Sequence, residues 1–246
     1  MDWGDVLPYS SLTKFRELLF HPPWIASPVE ISVVYLRAGY EAHEYDERGQ
    51  ATRLHLEKSA AIKCPSVLGH LTTLKKVQQA LTLPGALEHF LTEAEAALVR
   101  GTFVSVYPLD ESEAGRDARR LARDDPTNYI LKPSLEGGGH NVYGEAIPEF
   151  LASVPPSQWA SYILMERIQP AARTNLLMGP AGIDGGDVIS ELGILGTCLW
   201  RRQRGGCDML ESAVAGFTFK TKHAEIEELN VVKGFGCFDT PRLVDG

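Results

Sequence analysis

The chain has 246 residues, 44% hydrophobic and 23% charged, an ordinary globular composition with material for one large domain or one and a half. A net charge of −8 argues against a general nucleic-acid or anionic-membrane binder and leaves room for a local basic pocket that holds a small anion. Cys64, Cys198, Cys207 and Cys237 are scattered without a CxxC pair, which reads as reduced thiols rather than a disulfide framework or a zinc site. No stretch approaches the roughly 18 apolar residues of a membrane span, and the acidic start Met-Asp-Trp-Gly-Asp has no apolar leader, so the cytoplasm is the expected compartment.

Residues 12–20 read as a short helix, closed by His21-Pro22-Pro23. Residues 30–36 are short and β-branched and predict a buried strand of a parallel sheet, ending at Arg37-Ala38-Gly39-Tyr40. Helical spacing follows over 51–61, over 73–81 as far as Pro84-Gly85, and over 85–100. Residues 110–125 predict a charged surface helix ahead of the turn signal Asp125-Pro126-Thr127-Asn128. Apolar strands are predicted at 129–131 and 162–166. A further strand covers 188–196 after a loop at 179–187, a basic hairpin turn spans 200–207, and an alternating strand covers 217–222. Helices and strands mix without a strict βαβ rhythm, which favours α+β architecture for the second half.

The strand at 129–131 runs into Lys132 and then Glu136-Gly137-Gly138-Gly139-His140-Asn141. Consecutive glycines leave the backbone bare, so N–H groups can close around an anion. Lys132 can neutralise that anion, and the Glu136 carboxylate can hold a hard cation such as Mg²⁺ against it. Together they suggest a flap over nucleotide phosphates; the plainer alternative is a glycine-rich hairpin turn with incidental charges. The Walker spacing Gly-x-x-x-x-Gly-Lys-Ser/Thr is absent.

Seven ordered motifs carry a resemblance: Val-Val-Tyr-Leu-Arg37-Ala-Gly-Tyr40, Lys75-Lys-Val-Gln-Gln, Tyr-Ile-Leu-Lys132-Pro, Glu136-Gly-Gly-Gly-His-Asn141-Val-Tyr143-Gly-Glu, Tyr-Ile-Leu-Met165-Glu-Arg-Ile168, Ser-Glu191-Leu-Gly-Ile-Leu-Gly and Lys220-Thr-Lys222. From about Pro28 onward the chain resembles the carboxy-terminal half of the eukaryotic type of glutathione synthetase, an ATP-grasp ligase. The resemblance implies a mixed α+β and α/β fold. Residues 1–72 would form part of a parallel-sheet substrate-binding domain, and residues 73–246 an ATP-grasp domain with a glycine-rich lid. It implies ATP- and Mg²⁺-dependent joining of γ-glutamylcysteine to glycine through an acyl phosphate. Carboxylate attack on a polyanion needs cations to suppress charge repulsion, and the acyl phosphate needs shielding from water.

By the same resemblance, Lys132 contacts ATP phosphate and serves the chemical step together with Lys220. Lys75 is the nucleotide-site member of the Lys75–Lys76 pair; adjacent helical residues point about 100° apart, so the two cannot share one target. Glu136 is the Mg²⁺ ligand, and Gly137, Gly138, Gly139, Asn141 and Tyr143 form the flap over ATP. Met165, Glu166, Arg167 and Ile168 line the adenine. Glu191, Lys222 and Glu228 are further nucleotide contacts. Arg37 and Tyr40 hold the peptide substrate, an arginine after a buried strand offering a bidentate fork to a carboxylate. Lys220, Val231 and Val232 complete the substrate side. His140 is not expected to act as a base.

Departures from the family pattern bear on specificity. Family members are about twice this length, form homodimers, and carry further Mg²⁺ and dipeptide ligands in the absent half. Lysine stands at position 220 where the family has arginine, keeping charge but losing the fork. The family's Gly-Gly-Val-Ala-Ala-Gly loop is here Leu229-Asn-Val231-Val232-Lys-Gly234, and Ala38 replaces an aspartate. The rival expectations are a truncated, non-catalytic ATP-binding remnant, or a related ligase with altered amine or dipeptide specificity.

Overall fold

A computed structural model describes residues 2–135, 139–179 and 182–241. It divides into two units, residues 1–167 and 168–246.

In the first unit, helix α1 (Val6–Tyr9) leads into strands β1 (Ser10–Leu12), β2 (Leu18–Phe20) and β3 (Val29–Ile31), a three-stranded antiparallel sheet. Strand β4 (Val33–Tyr35), helix α2 (Glu47–Lys58) and strand β5 (Ile62–Cys64) follow, with β4 and β5 paired in parallel. Val6, Leu18, Leu36, Leu56 and Ala61 are buried together as the core of this region. Next come helices α3 (Val67–Leu71), α4 (Lys75–Leu81) and α5 (Glu93–Arg100), strand β6 (Val106–Pro108) and helix α6 (Glu113–Asp124). Strands β7 (Tyr129–Pro133) and β8 (Val142–Tyr143), helix α7 (Ala146–Ser153) and strand β9 (Tyr162–Glu166) complete the unit. Strands β6, β9, β7 and β8, in that spatial order, form an antiparallel sheet.

Strand alternation gives this four-stranded sheet two different faces. Leu131 lies opposite Leu164, and both are fully buried against Ala118, Ala122, Ile147 and Leu151 of α6 and α7. The other face carries Ile130, Lys132, Ile163 and Met165, with α4 lying against β6 and β9.

The second unit is a single antiparallel sheet of β10 (Arg173–Gly179), β11 (Gly182–Gln203), β12 (Gly206–His223) and β13 (Cys237–Phe238). Strands β11 and β12 are a long two-stranded ribbon, flanked by other strands only near its base. Two register shifts, at Leu195/Gly196 and Leu199/Trp200, interrupt its ladder. The second unit is thus wholly antiparallel β among its described residues, and with the helices of the first unit the fold is mixed α/β over the whole chain.

Several expected elements take other forms. Residues 12–20 form the β1–β2 hairpin rather than a helix: Arg16 sits at φ 67°, outside the helical region, and the Thr13 hydroxyl accepts N–H bonds from Phe15 and Glu17. The single strand at 30–36 is two strands of different sheets, parted at Ser32, whose carbonyl accepts from Ile62 N. The helix at 85–100 is broken: a 3-10 turn at Leu87–His89 precedes α5, which starts at Thr92 through a capping box with Glu95. Helix α2 starts earlier than residue 51 because the Asp46 side chain caps it at Gly49 N, 2.8 Å. The loop at 179–187 is largely strand, because its glycines pair with β10 across the ladder. Glu228 lies in a bend beyond the end of β12.

Candidate active site

In the first unit the site is assembled on the sheet face that carries Lys132. Ile130 is directly opposite Met165, so Lys132, two residues on, is its diagonal neighbour on that face, and Lys132 Nζ lies 3.9 Å from Met165 Sδ. Helix α4 begins beside this pair. Lys75 Nζ donates to the carbonyl of Leu135, at the entrance of the glycine loop, and Lys76 N donates to Ser134 Oγ at 3.1 Å. The two ammonium groups diverge, as helical geometry requires. That of Lys76 is shielded from water 4.0 Å from Asp110 Oδ2. Asp110 is held below the usual aspartate range, first by the Ser112 hydroxyl, with Lys76 and Arg119 adding to it. Lys132 and Met165 are therefore neighbours on one sheet face, and Lys75 is tied to the chain three residues beyond Lys132, where strand β7 enters the loop.

Glu136, Gly137 and Gly138 lie outside the described residues. Past them, Gly139 adopts φ +89° with open space around it, so its glycine is required by backbone conformation rather than by a clash. Asn141 Nδ2 donates to Tyr143 Oη at 3.2 Å on the returning strand. At the end of β9, the N–H of Glu166 donates to Ser105 O and that of Arg167 to Asn128 O. Any reading of a base edge by this segment falls to its remaining main-chain groups. Ile168, which opens the second unit, is 59% exposed.

Arg37 leaves β4 into a turn. Its Nη1 donates to Tyr35 Oη at 3.4 Å, and this bond is the first cause of a guanidinium pKa raised above the ordinary value. A pocket of about 420 Å³ lies between β4 and the elements around it, lined by Trp3, Leu18, Tyr35, Arg37, Ala38 and Leu56 among others. Tyr40 directs its hydroxyl inward, donating to Leu36 O at 2.9 Å, and its ring meets His70 edge-on at 5.5 Å. Its expected substrate contact is thus limited to its remaining acceptor capacity.

In the second unit, Glu191 is directly opposite Lys220, and Lys220 Nζ donates to Glu191 Oε1 at 2.9 Å. Two residues that the sequence assigns to different substrates form one ion pair. Glu191 is exposed, with its side chain 58% accessible, rather than an interior carboxylate. Lys222 shares that ribbon face, is nearly buried, and donates from Nζ to the carbonyl of Ile226. Val231 and Val232 lie in a four-residue turn closed by a bridge between Asn230 and Phe235; Val232 is almost fully exposed.

The opposite ribbon face holds residues that sequence reasoning passed over. Thr221 Oγ1, fully buried, bonds Ser190 Oγ at 2.8 Å and donates to Asp239 Oδ2 at 2.9 Å. Just before β13, Gly236 at φ +125° passes so close that a Cβ there would meet Thr221 O at 2.8 Å. The turn carrying Val231 and Val232 is thereby pinned to the strand carrying Lys220 and Lys222. Among the described residues no group of three or more His, Cys, Asp or Glu side chains could hold a metal ion, and no helix is long and apolar enough to cross a membrane.

A family model for the eukaryotic glutathione synthase ATP-binding domain matches residues 27–243. The chain belongs to the eukaryotic glutathione synthase family. It is 39% identical to glutathione synthetase of Xenopus laevis over 245 residues, which cover 98% of this chain and 50% of that protein. Against the glutathione synthetase large chain of Schizosaccharomyces pombe it is 38% identical over 215 residues, 87% of this chain and 43% of the other. Among solved structures, a glutathione synthetase-like effector from Globodera pallida, in its apo form, superposes with a TM-score of 0.63 at 22% identity, over 97% of this chain and 46% of that one. The chain therefore spans about half the length of the glutathione synthetases it matches.

Proposed function

We propose that this glutathione synthase-family chain supplies the nucleotide-binding half of an ATP-grasp ligase that joins γ-glutamylcysteine to glycine through an acyl phosphate, with Mg²⁺. The observation that carries the proposal is Lys132 beside Met165 on one sheet face, with Lys75 tied to the chain at the mouth of the glycine loop. Two cations beside a bare main-chain loop suit a polyphosphate, and a polarisable apolar side chain at the same place suits the face of a base. In this assignment Lys132 and Lys75 neutralise the phosphates, Gly137 to Gly139, Asn141 and Tyr143 cover them, and Met165 to Ile168 line the adenine. Glu191, Lys222 and Glu228 complete the nucleotide contacts. Glu136, outside the described residues, would hold Mg²⁺, and the ion would supply positive charge against the phosphates. Arg37, beside the 420 Å³ pocket, takes a carboxylate of the dipeptide with Tyr40 in support, and Lys220, Val231 and Val232 are assigned to the substrate as well. Functionally, residues 1–72 serve the peptide substrate and 73–246 the nucleotide, in the cytoplasm.

Apolar side chains are left open on both units: Val33, Tyr35 and Ile62 on the parallel pair, and Ile194, Val214 and Phe217 on the ribbon, are each more than half exposed. We therefore assign the complete activity to this chain together with further polypeptide that covers those faces, as subunits of a homodimer or otherwise. The test is an assay with ATP, Mg²⁺, γ-glutamylcysteine and glycine, reading glutathione by mass spectrometry. Glutathione that disappears with Lys132→Ala supports the assignment. Absence of product from a preparation containing the whole polypeptide refutes it.

A further inference from the structure

We propose that Glu44 is a positioning residue that fixes the turn from Arg37 to Glu41 in the shape with which Arg37 meets a substrate carboxylate; this deepens, and rests on, the ligase function proposed above. One carboxylate accepts three consecutive main-chain N–H groups: Gly39 N to Oε1 at 2.8 Å, and Tyr40 N and Glu41 N to Oε2 at 2.9 Å each. Successive N–H groups aimed at one point form an anion cradle, and here the protein fills its own cradle with a side chain five residues on from Gly39. The turn is held from its other sides as well. Tyr45 Oη donates to Gly39 O at 2.8 Å, and Tyr40 Oη to Leu36 O at 2.9 Å. Gly39 sits at φ +80°, and a Cβ there would meet Tyr45 Oη at 2.9 Å and the Trp3 ring at 3.2 Å.

Every bond Glu44 makes in the turn is to the main chain between Gly39 and Glu41, immediately beyond Arg37, and none is to Arg37 itself. Its effect on a ligand at Arg37 is therefore indirect: it sets where the strand ends and the guanidinium emerges beside the pocket. The carboxylate form is the one the turn selects. The N–H groups of Glu41 and then Gly39 lower the Glu44 pKa below its ordinary value, so the side chain stays ionised through the neutral range. A glutamine of the same size has one oxygen to accept with, and its NH₂ faces N–H donors.

The experiment compares wild type, Glu44→Gln and Glu44→Asp by calorimetry with γ-glutamylcysteine and, separately, with ATP, and follows amide exchange at Gly39, Tyr40 and Glu41. Glu44→Gln is expected to weaken dipeptide binding about tenfold, the scale of a lost charge-assisted hydrogen bond. ATP affinity should hold, and the three amides should exchange faster. Glu44→Asp, which restores the charge one methylene short, should recover part of the dipeptide affinity. Faster exchange with unchanged dipeptide affinity overturns the proposal, as does an equal loss for both ligands, which marks a merely structural role. All three are prepared with the whole polypeptide; if that wild type binds neither ligand, the ligase assignment falls and takes this proposal with it. If wild type binds both and Glu44→Gln alters neither, only the role of Glu44 falls.

Discussion

The first unit is held by packing, the second by hydrogen-bonded ladder. Both buried apolar clusters lie in the first unit, and in its four-stranded sheet Leu131, Leu164 and Ile147 are fully enclosed. In the second, Leu177 and Val188 are the buried apolar residues among those described, and its best-enclosed side chain is the polar Thr221. The difference teaches where each half tolerates change. A packed face resists any loss of volume, whereas a ribbon depends on register and on a few side-chain bonds that tie its flanking strands to it.

Substitutions can break or sharpen that contrast, beginning with the largest effect. Leu131→Ala opens a cavity under β7 and should cost about 3 kcal/mol by urea denaturation, with the first unit melting ahead of the second. Gly236→Ala should cost about 2 kcal/mol, since it combines a left-handed φ with a Cβ forced against a backbone oxygen; the loss should register in the second unit. Thr221→Val keeps the shape but strands Ser190 and Asp239, and should cost about 1.5 kcal/mol by the same measurement. A loss above that of Leu131→Ala would mean the ribbon is held mainly by this network. Lys132→Ala should raise the ATP Kd about tenfold, read by calorimetry, the scale of a lost charge-assisted hydrogen bond. Smallest of all, Glu191→Ala should alter stability by less than about 1 kcal/mol, and even that should fade in high salt, because the Lys220 pair lies open to solvent.

Much of the first unit's architecture was legible in the chain of residues. The runs at 129–131 and 162–166 are continuous and apolar because each strand has a covered face, and both are strands. Lys132 and Met165 share the motifs that suggested a nucleotide site, and the sheet register joins them. Residues 12–20 misled because Leu12, Phe15 and Leu19 fit helical spacing while Leu18 and Phe20 fit a strand; what decides between them is the turn at Arg16, a dihedral with no letter of its own. The stretch 179–187 reads as loop because Gly182, Gly185 and Gly186 carry no side-chain pattern, yet the ladder to β10 uses only their backbone. Glu44 escaped notice for a related reason: its partners are main-chain N–H groups, which every sequence contains everywhere. The Thr221–Asp239 link spans 18 residues, and nothing local foretells it.

The alternation of the β11–β12 ribbon sets a rule for how this half of the molecule can vary in length. Glu191, Lys220 and Lys222 look one way, Ser190 and Thr221 the other, and each register shift further out reverses that parity once. Residues added or removed around Arg204 and Gly205, at the far end, leave the inner pairing untouched. A single residue inserted between Val188 and Ser190 would turn Glu191 away from Lys220 and present the Ser190 hydroxyl in its place. Natural length changes in this hairpin should therefore gather at its outer end, and the stretch next to Lys220 should keep a constant count.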